Sequence, residues 1–390
     1  MPPLRPKPIL AALVAVAVLA PASVAHADRV DASELTLPPS AQLKADRAQF
    51  LKLARRGVSD ARALWWDSRL RWYRDRRPDH DRFPLATIWS IVPLFESLNA
   101  VAIAQPNSTN KRAVKRFAKK AETYFDPALK PSGGFAPYPA PRGGRERAWF
   151  DDNGWWGIAF VNAYRATHEG RYLKDAARAL RFSSTRGWAR GGGLWWDTGH
   201  TRKAGEALAS NSALAAMLYE ATRKRSYLKL ARRFIAWGDA HLRSSTPGLY
   251  ARSDSSSVPM GYVQGPMIGA HLVICRAARD SKACERAEEI AQASLDRFGA
   301  DLNHGPQYDA IYLRWMLELS ARDGDSRWYA LAYRNARRAL DNARDGRGVF
   351  TRAWDGGSIV RHEAREGLIR THAASVSLLG WLAVAPVPSG

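Results

Sequence analysis

Cysteine is scarce in this chain of 390 residues, which contains only Cys275 and Cys284. This scarcity, together with the length of the chain, excludes a small fold held together by disulfides. Because the two cysteines are close in sequence, they can form one local disulfide in an oxidising compartment or remain two buried thiols. Neither they nor the nine histidines show the spacing of zinc ligands. We therefore expect neither a metal nor another cofactor.

Long apolar runs are also missing after the first thirty residues, so the sequence predicts no transmembrane helix, which needs about 20 apolar residues. The run ILAALVAVAVLA near the start is shorter, follows two cations and precedes the small residues of VAHA. This order is typical of a signal peptide over residues 1–27, cleaved between Ala27 and Asp28. We expect an exported protein that is secreted or associated with the cell wall.

Acidic residues are few relative to basic ones: 37 Asp and Glu stand against 59 Lys and Arg, a formal net charge of +22. Such a charge suits an anionic surface, such as phosphate-bearing wall polymers or anionic lipid, although a solvated arginine-rich surface is the alternative. No nucleic-acid-binding motif is present, so we expect no specific nucleic-acid partner. We also expect a monomer. The G-x-S-x-G elbow and the phosphate-cradling glycine loop are missing as well.

What the chain does contain is a repeated pair of helices. Polar turns followed by amphipathic helices recur, with apolar residues at three- and four-residue spacing and roughly 45 to 60 residues between copies. The copies begin at Asn107, Glu169, Arg223, Asp280 and Gly324. A more apolar helix precedes each copy, and a helix that is apolar nearly all round is expected to be buried.

The two ends of the chain complete this pattern. A sixth apolar helix, EGLIRTHAASVSLLGWLA, lacks a following partner, whereas SAQLKADRAQFLKLARR lacks a preceding one. Pairing them predicts an all-α fold, an (α/α)6 toroid or six-hairpin barrel, formed by residues 28–390 as one domain. The outer-to-inner connections are long and rich in glycine, proline and aromatics, and in a toroid they all emerge at one mouth. Function is expected at that mouth.

Two neighbouring carboxylates, Asp151 and Asp152, stand where the longest of these loops becomes an inner helix, in FDDNGWW. Acids at a helix N-terminus are stabilised by free N–H groups and the helix dipole, so one of them is explained as an N-cap. A metal site is disfavoured because no further carboxylate follows one turn later. The third alternative is a catalytic pair, since diverging neighbours can reach the separation of about 5 Å used by retaining glycosidases.

Six further candidates lie in or beside two other long loops: Trp195, Trp196, Asp197, Asn211, Tyr262 and Gln264. Indole rings can stack on sugar faces, while the polar side chains can bind hydroxyl groups. Each candidate has a structural alternative, since a tryptophan can fill the core and Asn211 can cap the helix that begins there. Their shared position at the mouth favours a sugar-binding cleft.

Three stretches resemble the most recognisable blocks of glycoside hydrolase family 76, the endo-α-1,6-mannanases: WFDDNGWWGIAFVNAYRATHEGRYLKDA, GGGLWWDTGHTRKAGEALASNSALAAMLYEAT and GYVQGPMIGAHL. The resemblance runs from about Trp149 to Ala270 and more loosely over the rest of the mature chain. It implies an (α/α)6 fold and a retaining glycosidase that hydrolyses α-1,6-mannosidic linkages within mannan. It also implies Asp151 as the nucleophile and Asp152 as the general acid/base.

The resemblance also concerns substrate binding. It puts Trp195, Trp196, Asn211, Tyr262 and Gln264 in the sugar subsites, and Trp155 and Asp197, from the same stretches, complete the set that we predict to bind substrate. Family members often have Asn-Gln-Gly where this chain has Val-Gln-Gly at 263–265, and the first inner helix keeps Trp89 without a doubled aromatic. We therefore expect the subsites to depart from the family more than the reaction does.

Other functions on the same fold are a toroid glycosidase of different sugar or linkage preference, a catalytically silent glycan-binding protein, and a sugar epimerase. An epimerase of this shape relies on paired histidines on inner helices, for which His271 and His372 are the candidates. Each of these histidines is also explained by packing or by a single hydrogen bond. A binding protein would not need both aspartates.

Overall fold

The helices follow one another in pairs along the chain. The computed structural model describes residues 35–77, 85–140, 143, 146–357 and 367–388, so the predicted signal peptide lies outside the described residues. In these ranges the helices are α1 (Ser40–Trp65), α2 (Ile88–Ala104), α3 (Ser108–Ala121), α4 (Phe150–Thr167), α5 (Arg171–Phe182), α6 (Gly205–Thr222), α7 (Arg225–His241), α8 (Gly261–Ala278), α9 (Ser281–Phe298), α10 (Pro306–Asp323), α11 (Ser326–Asn342) and α12 (Ile369–Val384).

The even-numbered helices form a closed inner ring. Each packs against the next, and α12 packs against α2 to complete the circle. These helices are buried on nearly every side, as their apolar sequences predict. Small residues permit the close packing: a Cβ at Gly154 of α4 would overlap with the side chain of Ser210 on α6.

The odd-numbered helices surround this ring and bury one face only. In α5 the buried residues Tyr172, Ala176, Ala179 and Leu180 recur at three- and four-residue spacing. The first outer helix, α1, packs against α12, so the two ends of the described chain pair as predicted. The (α/α)6 toroid is therefore confirmed.

The connections at the two ends of the ring differ in length. At the end of α4, α6 and α8, one left-handed residue (His168, Arg223 or Arg279) donates its N–H to the carbonyl four residues earlier and turns the chain directly into the next outer helix. The outer-to-inner connections are longer and lie at the opposite end, where the inner helices begin. We call this end the mouth.

Three short antiparallel hairpins, which the sequence analysis did not predict, lie in the mouth connections. They are β1 (Trp66–Asp67) with β2 (Trp72–Tyr73), β3 (Phe125–Asp126) with β4 (Gly134–Phe135), and β5 (Ala251–Ser253) with β6 (Ser256–Pro259). Each strand has two to four residues, too few for a periodic pattern to be recognised. The hairpins place backbone and aromatic side chains around the mouth.

Cys275, near the end of α8, and Cys284, in the first turn of α9, form a disulfide with a Cα–Cα distance of 5.0 Å. Of the two alternatives for these residues, the structure thus contains the disulfide. None of the helices within the described ranges is long and apolar enough to span a membrane.

Charged side chains occupy the interior of the ring on the side away from the mouth. They come from five of the inner helices and are Glu96, Arg165, Glu220, Arg276, Arg314 and Glu318. Arg276 joins Glu220 at 3.0 Å and Glu318 at 3.1 Å. Burial alone would oppose ionisation of Glu318, but the surrounding arginines hold its pKa at about 2. We call these six residues the axial ion cluster.

Candidate active site

One position recurs at the start of the inner helices. The second residue of α2, α4, α6 and α8 is Trp89, Asp151, Glu206 and Tyr262 respectively, and all four line one cleft. The inner helices all begin at the mouth and run in the same direction, so equivalent positions point to the same height within the ring. The site is therefore a consequence of helix register.

This cleft has a volume of about 300 Å³. It is lined by Thr87, Trp89, Pro137, Tyr138, Trp149, Asp151, Asp152, Trp196, Glu206, Arg252, Tyr262 and Tyr308. Trp89, Tyr262 and Tyr308 form one aromatic cluster, in which the Tyr262 and Tyr308 rings are 4.7 Å apart. Trp149 and Trp196 form a second, with ring centroids 6.4 Å apart. Aromatic clusters flanking carboxylates provide both apolar contact and hydrogen bonding for a sugar.

The remaining residues of FDDNGWW hold the two aspartates in place. Asn153 binds both the N–H and the carbonyl of Phe135 at 2.9 Å, which attaches α4 to β4. Trp156 is fully buried in the core. The helix N-cap is Trp149, so neither aspartate is the capping residue, and the capping explanation does not apply.

Asp151 and Asp152 are 9% and 7% exposed. The Nε1–H of Trp196 donates to Oδ2 of Asp151 at 3.1 Å, whereas Oδ1 of Asp151 has no hydrogen-bond partner among the described residues. The pair therefore lies in a largely desolvated site that retains an opening to the cleft.

Burial raises the pKa of both carboxyl groups. For Asp151 the pKa rises to about 7, with the charge of Glu206 adding to the effect of burial and the Trp196 hydrogen bond opposing it. For Asp152 the pKa rises well above its usual range because of burial and then the charge of Asp151. The indole N–H favours the ionised form of Asp151, while the neighbouring charge favours the protonated form of Asp152. One charged and one protonated carboxyl is the state that this arrangement favours.

We expect Asp151→Asn to stabilise the protein at neutral pH. The carboxyl has a pKa near 3.8 when unfolded and about 7 when folded, so its ionisation lowers the free energy of unfolding as pH rises through this interval. A neutral amide avoids that cost, and we expect a gain on the order of 1 kcal/mol at pH 8 that disappears near pH 4. Thermal unfolding at both pH values measures it.

The control for this prediction is Asp197→Asn. Asp197 is fully buried, but its oxygens accept hydrogen bonds from Gly199 N at 2.7 Å and Thr201 Oγ1 at 2.8 Å. An amide cannot accept with both atoms, so this variant should be less stable than wild type. A gain of the same size in both variants would show that the Asp151 effect is unrelated to its ionisation.

The loop containing Trp195, Trp196 and Asp197 pairs with the start of α4. Phe150 N donates to Trp196 O at 2.8 Å, which brings the Trp196 indole to Asp151. Trp195 points the other way, as expected for neighbouring residues in extended backbone, and stacks on His200 with ring centroids 5.1 Å apart. Of these three predicted substrate-binding residues, the structure places only Trp196 on the cleft.

Asn211, Gln264 and Trp155 also lie away from the cleft lining. Asn211 is inside α6, not at its start, and its amide donates to Phe150 O at 2.9 Å. Gln264 binds the backbone N–H and carbonyl of Tyr250 at 2.9 and 2.7 Å. Trp155 is buried deeper in the ring, in a cavity with Glu96 and Arg314. The structure gives Asn211 and Gln264 backbone partners, whereas Tyr262 lines the cleft.

The two histidines considered for an epimerase are separated from the cleft. His372 lies between Phe350 N at 3.2 Å and Gly57 O at 2.9 Å, and His271 lies 3.4 Å from the Tyr250 hydroxyl. Burial lowers the pKa of both. Each is a packed histidine with local partners, which was the alternative explanation.

Sequence analysis did not identify Glu206, Arg252, Tyr138 or Tyr308. Glu206 was missed because the apolar pattern indicated a helix beginning near Ser210, whereas α6 begins at Gly205. No side chain caps this helix, so the usual signal for its start was missing. The second residue of α2, α4 and α8 also lines the cleft, and this shared position is the signal that would have located Glu206. Over the described ranges, no group of three or more His, Cys, Asp and Glu side chains is placed to hold a metal ion.

Comparison with known proteins assigns this arrangement to a family. The sequence model of Glycosyl hydrolase family 76 matches residues 88–335. An α-mannanase of that family from Bacteroides thetaiotaomicron superposes with a TM-score of 0.76 at 20% identity, over 86% of this chain and 95% of the other. No curated protein matches the chain.

Two further structures share the fold. One is an inactive variant of an α-1,6-mannanase from Salegentibacter sp., with two consecutive aspartates replaced by asparagine, in complex with α-1,6-mannotriose; it has a TM-score of 0.67 at 16% identity over 86% of this chain and 100% of the other. The other is cellobiose 2-epimerase from Spirochaeta thermophila, with a TM-score of 0.63 at 14% identity over 88% of this chain and 98% of the other. At these identities the structures establish the fold alone.

Proposed function

The chain belongs to glycosyl hydrolase family 76, and on this premise we propose that it hydrolyses α-1,6-mannosidic linkages within mannan with retention of configuration. The observation that carries the proposal is the adjacent pair Asp151–Asp152, buried beside the aromatic clusters of the cleft. In the Salegentibacter relative, the variant that lacks two consecutive aspartates is inactive and holds α-1,6-mannotriose. That correspondence supports the same chemistry here.

The electrostatics of the pair favour a division of roles. Asp151, whose anion receives the Trp196 N–H, attacks the anomeric carbon from the face opposite the leaving group and forms a covalent mannosyl ester. Asp152 first donates its proton to the departing glycosidic oxygen. It then removes a proton from the water that cleaves the ester, which returns both carboxyl groups to their starting states.

The test uses linear α-1,6-mannan, with a linear mannan of another linkage as the control. We expect shortened α-1,6-linked oligosaccharides from the first polymer and none from the second. Proton NMR in the first minutes should show the newly formed reducing end as the α-anomer, before mutarotation mixes the two forms. An early β-anomer would reject the nucleophilic role of Asp151, and the absence of any cleavage would reject the substrate.

We also propose that the protein is exported and works near an anionic surface. The apolar run before residue 28 supports export, and the Cys275–Cys284 disulfide is of the kind that forms in oxidising compartments. The charge is unevenly distributed around the ring. Helix α3 carries six Lys and Arg and no acid, whereas α9, on the opposite side, carries four acids and three cations. The α3 side is therefore the one suited to an anionic partner.

Salt should reduce activity on phosphorylated mannan more than on a neutral mannooligosaccharide. Exposed charges are screened beyond about 8 Å at physiological ionic strength, so only an encounter guided by charge is sensitive to salt. Arg112→Gln with Lys119→Gln on α3 should remove most of this difference. The matched control, Lys282→Gln with Arg297→Gln on α9, removes the same formal charge and should retain it. Equal salt sensitivity of both substrates in the wild type would show that the charge does not guide binding.

A further inference from the structure

Glu206 is a third carboxylate in the cleft, and its two oxygens have different surroundings. The residue is 1% exposed. Its Oε1 accepts a hydrogen bond from Arg202, whereas its Oε2 is buried without a hydrogen-bond partner in the part of the chain that the structure describes. A buried carboxylate oxygen without a donor is unfavourable, so this oxygen favours a ligand that supplies a donor to it.

Arg202 does not complete the site. Its guanidinium lies over the Trp196 ring at 4.5 Å, and its Nη1 also has no acceptor among the described residues. The same Trp196 donates to Asp151. Glu206 therefore lies near the proposed nucleophile, and it lines the same cleft as Asp151 and the aromatic clusters.

We propose that Glu206 is a substrate-positioning and specificity-determining residue, whose Oε2 accepts a hydrogen bond from a hydroxyl of the mannosyl unit bound beside Asp151. This inference rests on the proposed function. A carboxylate is an acceptor only, so it binds an unmodified hydroxyl and repels a sugar that carries phosphate or another anion at that position. Glu206 thus selects for a neutral mannosyl unit at the point of cleavage, even in a protein whose outer surface is basic.

The charge of Glu206 also affects Asp151 directly. It adds to the raised pKa of Asp151, so its removal should lower that pKa and shift the acid limb of the kcat/KM profile to lower pH. A purely structural residue would change stability without moving this limb. Glu206→Gln, which keeps the size of the side chain, is the variant for this measurement.

Binding is measured in an Asp152→Asn background, by calorimetry with α-1,6-mannotriose and its monodeoxy analogues. We expect Glu206→Ala to weaken binding of mannotriose about tenfold or more, as for loss of a hydrogen bond to a charged group. When Glu206 is present, one deoxy analogue should bind more weakly than mannotriose. In the Glu206→Ala variant, the same analogue should bind as well as mannotriose does. Circular dichroism at the measurement temperature confirms that each variant is folded.

Arg202→Gln is the matched control, because it removes the ion pair and leaves Oε2 of Glu206 in place. This variant should still discriminate against the deoxy analogue. If it loses the discrimination as completely as Glu206→Ala does, Glu206 acts only by holding Arg202 and the proposal is wrong. The proposal is also wrong if the wild type cleaves mannan but the loss of affinity caused by each deoxy substitution is the same with and without Glu206. Failure of the wild type to cleave mannan would instead reject the proposed function itself.

Discussion

Asp151→Ala and Asp152→Ala should each reduce mannan hydrolysis by about three orders of magnitude or more and leave the fold intact. Acid/base catalysis by a positioned carboxyl contributes about 10² to 10⁴ in rate, and loss of the nucleophile removes the covalent route altogether. Neither residue is an N-cap, and neither carries a structural ion pair among the described contacts, so the folded state loses little. Initial rates on linear α-1,6-mannan and circular dichroism measure the two effects.

Asp309→Asn provides the matched control, because Asp309 is an acid in the first turn of α10. Its Oδ2 accepts from His304 N at 2.9 Å and Gly305 N at 3.2 Å, and it is not part of the cleft lining. This variant should lose some stability and keep its activity. If both aspartate variants stay folded and turn over mannan at nearly the wild-type rate, the catalytic assignment is incorrect.

The two losses should also differ from each other with an activated aryl α-mannoside. Such a leaving group needs little protonation, so Asp152→Ala should still form the mannosyl ester, and azide should revive its turnover because azide needs no general base. Azide attacks the β-linked ester from the face that the leaving group left, so the product should be the α-mannosyl azide. The Asp151 variant lacks the ester, and any azide product from it should be the β-anomer.

Arg314→Met should lower the free energy of unfolding by about 3 to 5 kcal/mol, the usual result of removing one partner from a buried ion pair. Arg314 is 5% exposed, and its guanidinium lies 3.7 Å from Glu96 and 3.3 Å from Glu318. Burial already raises the pKa of Glu96, with Arg314 opposing that rise. Without the guanidinium, the Glu96 carboxylate keeps the Asn162 amide, which donates to it at 2.9 Å, and the weaker effect of the Arg165 charge, but loses the group that favours its ionised form most. Chemical denaturation measures the loss.

Arg232→Met is the corresponding surface variant. Arg232 pairs with Asp280 at 2.8 Å, but its side chain is 54% exposed, and exposed pairs contribute about 0 to 1 kcal/mol. The two variants remove the same kind of ion pair from different environments. A similarly small loss of unfolding free energy in both variants would show that water reaches the axial ion cluster. Burial would then not determine how much its ion pairs contribute to stability.

The helices were predictable because their pattern is local. The apolar pattern of each segment indicates which of its faces are buried, without reference to the rest of the chain. The two segments left unpaired at the ends then predicted a closed ring. The pair Asp151–Asp152 was predictable for the same reason, since the two acids are neighbours in sequence. Their environment was not, because Glu206 and Arg252 reach the cleft from other helices and loops.

Polar residues of the inner helices show where sequence reasoning reaches its limit. Asn211 and Gln264 look like sugar-binding groups, but their amides bind the backbone of Phe150 and Tyr250. A side-chain amide binds a peptide group and a sugar hydroxyl with the same atoms, so its partner depends on which chain segment lies beside it. From sequence alone, the Tyr262 side chain could likewise have contacted either the chain or a sugar. It lies on the cleft because it is the second residue of α8.

The axial ion cluster closes the centre of the ring on the side away from the mouth, so the ring is not an open channel. Helices α4 and α10 face each other across the ring, and two contacts join them through its centre: Arg314 with Asn162 at 3.3 Å, and Arg165 with Glu318 at 3.6 Å. A polysaccharide consequently cannot thread through the ring and advance by sliding along its axis. In the proposed reaction, the polymer therefore lies across the rim with one linkage reaching the aspartates, and both fragments leave by the opening through which the chain arrived.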